Sequence, residues 1–282
     1  MDIINSQIIK ADTHIHSEFS HDSQSKISAI CRSAAEKGIN IICITDHCDI
    51  EYCDKLDLQG IIGASVRSAR EKGIEFSNLP EVLAGVELGE YIHNPKAAER
   101  IIAMNKFDSV IGSVHAVCFE GFTQPYSQID FSKMTYATLL KYTDKYFDEL
   151  LEAAKTSDYD ILAHITCPFR YINGKYSLDL DTMLFKDKTD EILKTLIKRN
   201  KSLEINSSGI GNEAYNEFLP EKRIVKRYKE LGGKLITLGS DAHTPERIAN
   251  GFSELYKMLD ELGFEYAYYF KNRKPIRYTL KQ

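Results

Sequence analysis

The sequence predicts an α/β fold in which seven strand–helix units run parallel and close into a TIM-like barrel. Three observations carry this expectation. Short runs rich in Ile, Val and Leu, bounded by turn residues, alternate with helical stretches along the chain, as strands buried on both faces should. The connections are short, which makes consecutive units neighbours in a parallel sheet. Polar residues gather just past the C-terminal end of each predicted strand. A barrel brings all those ends to one mouth, whereas an open sheet gathers its ligand residues at a single crevice.

The elements follow in order. Ile8 to Thr13 reads as the first strand, and Ser25 to Lys37 as a helix that Gly38 ends. Asn40 to Thr45 is a buried strand, followed by a helix ending near Gly73. Val82 to Val86 is the third strand, with a short helix from Pro95 to Met104. Ser109 to Val114 is the fourth, followed by a longer loop and a helix from Thr135 to Thr156. Asp160 to Ala163 is the fifth, with the helix Asp187 to Asn200. Ser202 to Ile205 is the sixth, with the helix Pro220 to Leu231, and Lys234 to Leu238 is the seventh, with the helix Pro245 to Leu262. Residues 264–282 form an aromatic and basic β-type tail, read as an element closing the barrel. The 282 residues would suit two average domains or one large barrel. No repeat or Gly/Ser/Pro linker divides them, so residues 1–282 are expected to form one barrel domain.

The histidines favour the barrel over the open sheet. Of the eight, His14, His16 and His21 follow strand one, His47 strand two, His115 strand four, His164 strand five and His243 strand seven. Glu87 closes strand three, and Asp241 stands two residues before His243. Only His93 is left over. Imidazole and carboxylate are the ligands of divalent zinc, iron and manganese. His14 and His16 lie on the same side of an extended chain, because side chains there alternate with period two. So many donors exceed what one four-coordinate ion can use, and two or three divalent metal ions (Zn, Fe or Mn) are expected. Glu87 is the carboxylate best placed to bridge them. Such a site at a barrel mouth is hydrolytic machinery.

Composition sets the outer limits. Hydrophobic residues at 43% and charged residues at 27% are ordinary for a globular chain. A net charge of −5 argues against a protein built to grip nucleic acid. No apolar run approaches the roughly 20 residues of a membrane span, and the first residues lack the pattern of a signal peptide. A cytoplasmic protein is expected. The six cysteines form no C-x-x-C pair, and Cys31, Cys43 and Cys118 fall in apolar or helical stretches, so buried thiols are expected. Cys48 and Cys167 lie near histidines and could line a site.

The motifs, taken together, are specific. Asp12-Thr13-His14-Ile15-His16-Ser17 with Ser20-His21, Thr45-Asp46-His47, Gly85-Val86-Glu87 and Ile111-Gly112-Ser113-Val114-His115 occur in that order. Leu162-Ala163-His164, Leu203-Glu204-Ile205-Asn206 and Gly239-Ser240-Asp241-Ala242-His243 follow. The chain resembles the polymerase-and-histidinol-phosphatase (PHP) family, most of all its stand-alone histidinol-phosphatase branch. That resemblance implies a distorted (βα)7 barrel of PHP type. It implies a first metal position held by His14, His16, Glu87 and Asp241, and a second held by Glu87, His115 and His164. The third would be held by His21, His47 and His243. Thr166 departs from family members that carry Asp there, which bears on substrate more than on metal.

The implied reaction is hydrolysis of L-histidinol phosphate by a hydroxide held between metal ions, with Glu87, Asp241 and His243 as candidate catalytic residues. Arg170 is the first candidate for the cation that binds phosphate, since guanidinium pairs with it bidentately; Arg247, opening the last helix, is the second. Asp12 and Asp46 are expected to orient metal-binding imidazoles. Asp46, Asp22 or a metal-bound water could supply the leaving group's proton. Glu90, Tyr91, Phe119 and Tyr171 are candidates for contacting the substrate's amine and ring. The expected partner is a small phosphomonoester, with no nucleic acid and no membrane.

Three other readings have their own signatures. A nuclease or phosphodiesterase of the same fold would call for a basic track. A carbon–nitrogen hydrolase would often place a bridging lysine on strand four, where this chain has Gly112-Ser113-Val114-His115. A non-catalytic metal-binding module would need its open coordination positions blocked.

Overall fold

The computed structural model describes residues 9–53, 55–77 and 80–280. Ile8, the expected start of the first strand, lies outside the described residues, as do the signal-peptide reading of the first residues and the last two residues of the tail. Seven parallel strands form the wall: β1 (Ala11–Ile15), β2 (Ile41–Ile44), β4 (Glu81–Gly89), β5 (Ser109–Ser113), β8 (Ile161–Leu162), β9 (Ser202–Asn206) and β10 (Ile236–Gly239), paired in that order. A short β3 (His47–Asp49) continues past the end of β2 and pairs with the far half of β4, His47 opposite Glu87. This is why β4 outruns the expected Val86 and carries Glu87 inside the strand. The helices are α1 (Ile27–Glu36), α2 (Leu58–Glu75), α3 (Pro95–Met104), α4 (Tyr136–Thr156), α5 (Lys186–Arg199), α6 (Lys222–Glu230) and α7 (Phe252–Glu261). The expected (βα)7 order is the observed one.

Local chemistry sets several boundaries. In α1, Ile27, Ile30, Cys31 and Ala34 recur at helical spacing and are buried. Thr135 caps α4 by accepting from the Thr138 N–H at 3.1 Å. Asn200 ends α5 in the left-handed region at φ 54°. The last helix starts later than expected. Pro245–Arg247 forms a separate 3-10 turn, and Ala249 and Gly251 at φ 53° and 72° break the chain before Phe252. Arg247 therefore does not open that helix. The longer loop after β5 also holds structure: β6 (Ala116–Phe119) and β7 (Phe122–Pro125) form a hairpin. Its turn, Glu120-Gly121, has positive φ at both residues, as a two-residue hairpin turn requires.

The wall closes between β10 and β1 through a seam rather than a full ladder. Ile15 and Ala242 form a lone bridge, and Thr13 Oγ1 donates to the Leu238 carbonyl at 3.0 Å. Asp12 completes the seam, accepting from Ser240 N at 2.9 Å, Ser240 Oγ at 2.5 Å and Ala249 N at 2.9 Å. At the end where the strands begin, a second hairpin, β11 (Tyr266–Lys271) and β12 (Lys274–Thr279), plugs the barrel. Its Phe270 packs with Ile111, Ile161 and Ala163, and Arg273 Nε donates to Asp160 Oδ2 at 2.5 Å. The aromatic tail thus closes the barrel from below. Among the described residues no helix is long and apolar enough to cross a membrane. Cys31, Cys43, Cys48 and Cys167 are buried free thiols, but Cys118 is exposed, because its strand belongs to the β6–β7 hairpin and not to the wall.

His93 stands outside the mouth and ties three elements. Its ring contacts Glu51 at one nitrogen and Glu149 of α4, at 2.9 Å, at the other. Burial opposes its charge, but the two carboxylates outweigh it and raise the ring from 6.5 to about 9. A raised histidine stabilises the fold fully below its unfolded value and loses that contribution as pH climbs through the folded one. The stability difference between the parent and His93→Gln, followed by urea unfolding, is expected to be full below pH 6.5 and to vanish above about pH 9. A gap independent of pH would refute the charged pairing.

Candidate metal centre

β4 places Glu87 at the middle of the barrel mouth, with no exposed surface. Five imidazoles surround its carboxylate. His47 Nδ1 lies 2.9 Å, His14 Nε2 3.3 Å and His16 Nε2 3.6 Å from Oε2, while His164 Nε2 lies 2.8 Å and His115 Nε2 3.1 Å from Oε1. Asp241 reaches in from the end of β10, its Oδ1 3.2 Å from His16 Nε2 and 3.9 Å from His14 Nε2. His164 and Asp241 hold positive φ, 27° and 52°. Such strain in non-glycine residues clusters where side chains must be aimed.

The donors satisfy each other poorly. His14 Nε2, His16 Nε2, His47 Nδ1, His164 Nδ1, His243 Nε2 and Glu87 Oε2 are buried without a hydrogen-bond partner among the described residues. Each such atom costs roughly 1–3 kcal/mol when left alone, so a concentration of them marks a cation site. Three overlapping groups, His14–His16–Glu87, His47–Glu87–His115 and His16–His47–His243, have ligand atoms within 4.8 Å of one another. The residues fit a cluster of divalent ions. The charges agree: burial opposes the ionised form of Glu87, but His115, His14 and His47 hold it well below the usual carboxylate range. Burial likewise opposes Asp241, and the neighbouring imidazoles of His16, His14 and His243 hold it well below the usual carboxylate range. Burial, aided by His47 and His243, pushes His16 down to about 3, the neutral form that ligates.

Nearly all of the expected donors converge. His21 and its neighbour Asp22 are both exposed and neither is in the donor groups, but both reach His47, the His21 ring centroid lying 5.1 Å from that of His47. Asp22 Oδ2 is 3.0 Å from His243 Nε2 and 3.6 Å from His47 Nε2. The orienting carboxylates differ more. Asp12 touches no imidazole and serves the seam. Asp46 accepts from Ser17, Ser20 and Ser65 and reaches His16 only through Ser20 Oγ, 3.0 Å from His16 Nδ1. Those bonds leave Asp46 enclosed and unsuited to deliver a proton to a leaving group. The direct partners are Glu204, with Oε1 2.6 Å from His14 Nδ1, and Asp49, with Oδ1 3.0 Å from His115 Nδ1. A glutamate inside the buried strand Ser-Leu-Glu-Ile-Asn was the available signal for the first; Asp49, two residues past His47, carried a weaker one.

A cavity of about 240 Å³ opens beside this cluster. Arg170 lines it, its Nη1 donating to Ser208 Oγ at 2.9 Å and its guanidinium 5.3 Å from the Tyr171 ring centre. Tyr126, Asp49, Glu51 and Glu90 also line it. Arg247 is not in the lining; its Nη2 donates to the Ser208 carbonyl at 3.0 Å and fastens a loop instead. Of the other pocket candidates, Tyr171 and Glu90 line the cavity, whereas Tyr91 is buried in the core and Phe119 packs on Tyr142. Cys167 lines the cavity and Cys48 belongs to the core.

Known proteins share this architecture. The chain is 30% identical to the probable histidinol-phosphatase of Clostridium acetobutylicum, over 92% of this chain and 96% of that one. It is 26% identical to the probable histidinol-phosphatase of Thermotoga maritima, over 90% and 93%. Its fold superposes with a TM-score of 0.77, at 23% identity, on a Lactococcus lactis histidinol phosphate phosphatase solved with zinc, L-histidinol and phosphate, covering 96% of this chain and all of that one. Residues 12–208, more than half of the chain, match the PHP domain, and the chain belongs to the PHP family.

Proposed function

We propose that the protein is a metal-dependent phosphomonoesterase that hydrolyses L-histidinol phosphate to L-histidinol and phosphate. The observation that carries this is the buried Glu87 ringed by five imidazoles, with unpartnered ligand atoms, beside a cavity that Arg170 lines. Relatives that match nearly the full length and bear the histidinol-phosphatase name support the substrate. Zinc, iron or manganese suits the donors, and such ions acidify water and neutralise charge on phosphate oxygens. His14, His16, Glu87 and Asp241 would hold one ion, and Glu87, His115 and His164 a second. His21, His47 and His243 would hold a third, with Asp22 beside the last two.

The chain's own groups supply the rest. Arg170 is half-buried, already tethered by Ser208, and offers a guanidinium to the phosphate with little ordering left to do. Asp49, Glu51 and Glu90 line the same cavity with acceptors for a substrate amine, and Tyr126 and Tyr171 give ring surface for an imidazole. A net charge of −5 suits a small substrate better than nucleic acid. Work on such a substrate is in keeping with a cytoplasmic enzyme of histidine biosynthesis, acting as one barrel unit.

Phosphate release from L-histidinol phosphate, measured against p-nitrophenyl phosphate, nucleotides and a phosphodiester, tests the reading. Preference for histidinol phosphate, lost on chelation and restored by zinc or manganese, is expected; preference for a diester would overturn it. Changes to groups around metal ligands cost about 10–100-fold, so Glu87→Gln, which alters the shared ligand itself, is expected to lose more. His21→Ala is expected to lower bound metal per chain, which metal analysis after dialysis reads directly. Arg170→Ala is expected to lower kcat/KM by about 100-fold or more, the scale of losing one charge-stabilising donor. Arg247→Ala is expected to act mainly on thermal stability, and equal catalytic losses for the two arginines would refute their different roles.

A further inference from the structure

Glu204 lies one layer behind the metal centre with no exposed surface, and both of its oxygens are in use. Oε1 is 2.6 Å from His14 Nδ1. Oε2 accepts from the backbone N–H of His164 at 3.0 Å and from Asn206 Nδ2 at 3.2 Å. That backbone N–H belongs to a residue held at φ 27°, so the carboxylate supports the strained turn that aims a second imidazole at Glu87. Asn206 carries the connection onward. Its Oδ1 accepts from Ser208 N at 2.9 Å, and Ser208 Oγ in turn accepts from Arg170 Nη1 at 2.9 Å. Gly239 makes room for this arrangement, since a Cβ there would stand 2.4 Å from Glu204 Oε1 and 2.6 Å from His14 Cβ.

We propose that Glu204 is a positioning residue that fixes His14, His164 and, through Asn206 and Ser208, Arg170 in one frame, so that the metal ligands and the phosphate-binding cation are set by a single carboxylate. The proposal rests on the metal centre described above and not on the identity of the substrate. A carboxylate offers acceptors on both sides. It therefore keeps the His14 proton on Nδ1 and leaves Nε2, which faces Glu87, bare for a metal.

Glu204→Gln separates positioning from filling space. The amide must turn its NH2 either toward the two donors of His164 and Asn206 or toward His14. Facing His14, it would donate to Nδ1 and drive the ring proton onto Nε2, where it blocks ligation. The variant is expected to bind zinc about 10–100-fold more weakly, as losing an outer partner of a metal ligand does, when titrated against a competing chelator. Ser208→Ala, which cuts only the arm to Arg170, is expected to keep full zinc affinity and to raise KM. Long-range 1H–15N spectra of the zinc-loaded parent are expected to show His14 protonated at Nδ1 and bare at Nε2, a readout that holds even should the Gln variant fail to fold. Parent His14 protonated at Nε2, or Glu204→Gln with unchanged zinc affinity, would overturn the role of Glu204 alone. A parent that takes up no zinc would overturn the metal centre with it. A parent with the expected zinc behaviour that ignores histidinol phosphate would leave the inference standing and remove only the substrate.

Discussion

A carboxylate taken wholly out of water must be met by positive charge, and Glu87 imposes that demand on this barrel. Burying an ionised group costs several kcal/mol even after the protein relaxes. The structure answers with imidazoles from β1, β3 and the loops after β5 and β8, all within 3.6 Å of the two oxygens. Much of the local architecture reads as a means to that end. β2 breaks at Thr45 and Asp46, and β3 resumes in register with the outer half of β4, so that His47 stands opposite Glu87. The serines gathered on Asp46 hold that break together. Burial opposes charge on the imidazoles, but nearby carboxylates hold His14, His47 and His115 well above the usual imidazole range. Histidine protons thus meet part of the demand, whereas His16 between His47 and His243 is driven to its neutral form. Divalent ions meet it better, with Glu87 and Asp241 already ionised and His16 already deprotonated.

The fold and the centre of this site were legible in the sequence for a common reason. Parallel strands buried on both faces announce themselves as apolar runs, and a barrel sends every strand end to one rim. Position along the chain therefore translates directly into position in space, and His14, His16, Glu87, His115, His164 and Asp241 needed no further information to be brought together. The strand count followed from the same property. Where the chain leaves that regular pattern, the translation weakens. The β6–β7 hairpin hides in what reads as a loop, because Glu120-Gly121 is a turn signal flanked by strands of only four residues.

Residues that act through direction and not position were harder to read. His21 and Asp22 are neighbours, and only the path of their loop sets how each meets His47. Asp12 and Asp46 flank the histidine motifs in sequence but spend their oxygens on backbone and serine groups. Glu204 and Asp49, which do contact imidazole nitrogens, come from other strands. Arg170 and Arg247 both meet Ser208, yet one enters the cavity and the other fastens the loop behind it. Side-chain orientation at a strand end depends on packing from several elements at once, and no local pattern encodes it.

The seam has a consequence for the order of events in the cell. Asp12 binds Ser240, which is 228 residues further along the chain, and Asp241 N donates to the His14 carbonyl at 2.9 Å across the same joint. During synthesis, the first strand has no partner on that side until β10 has left the ribosome. His14 and His16 emerge 227 residues before Asp241 and His243 respectively. A nascent chain therefore carries exposed imidazoles long before it can cage an ion. Assembly of the complete donor set therefore waits on closure of the barrel itself.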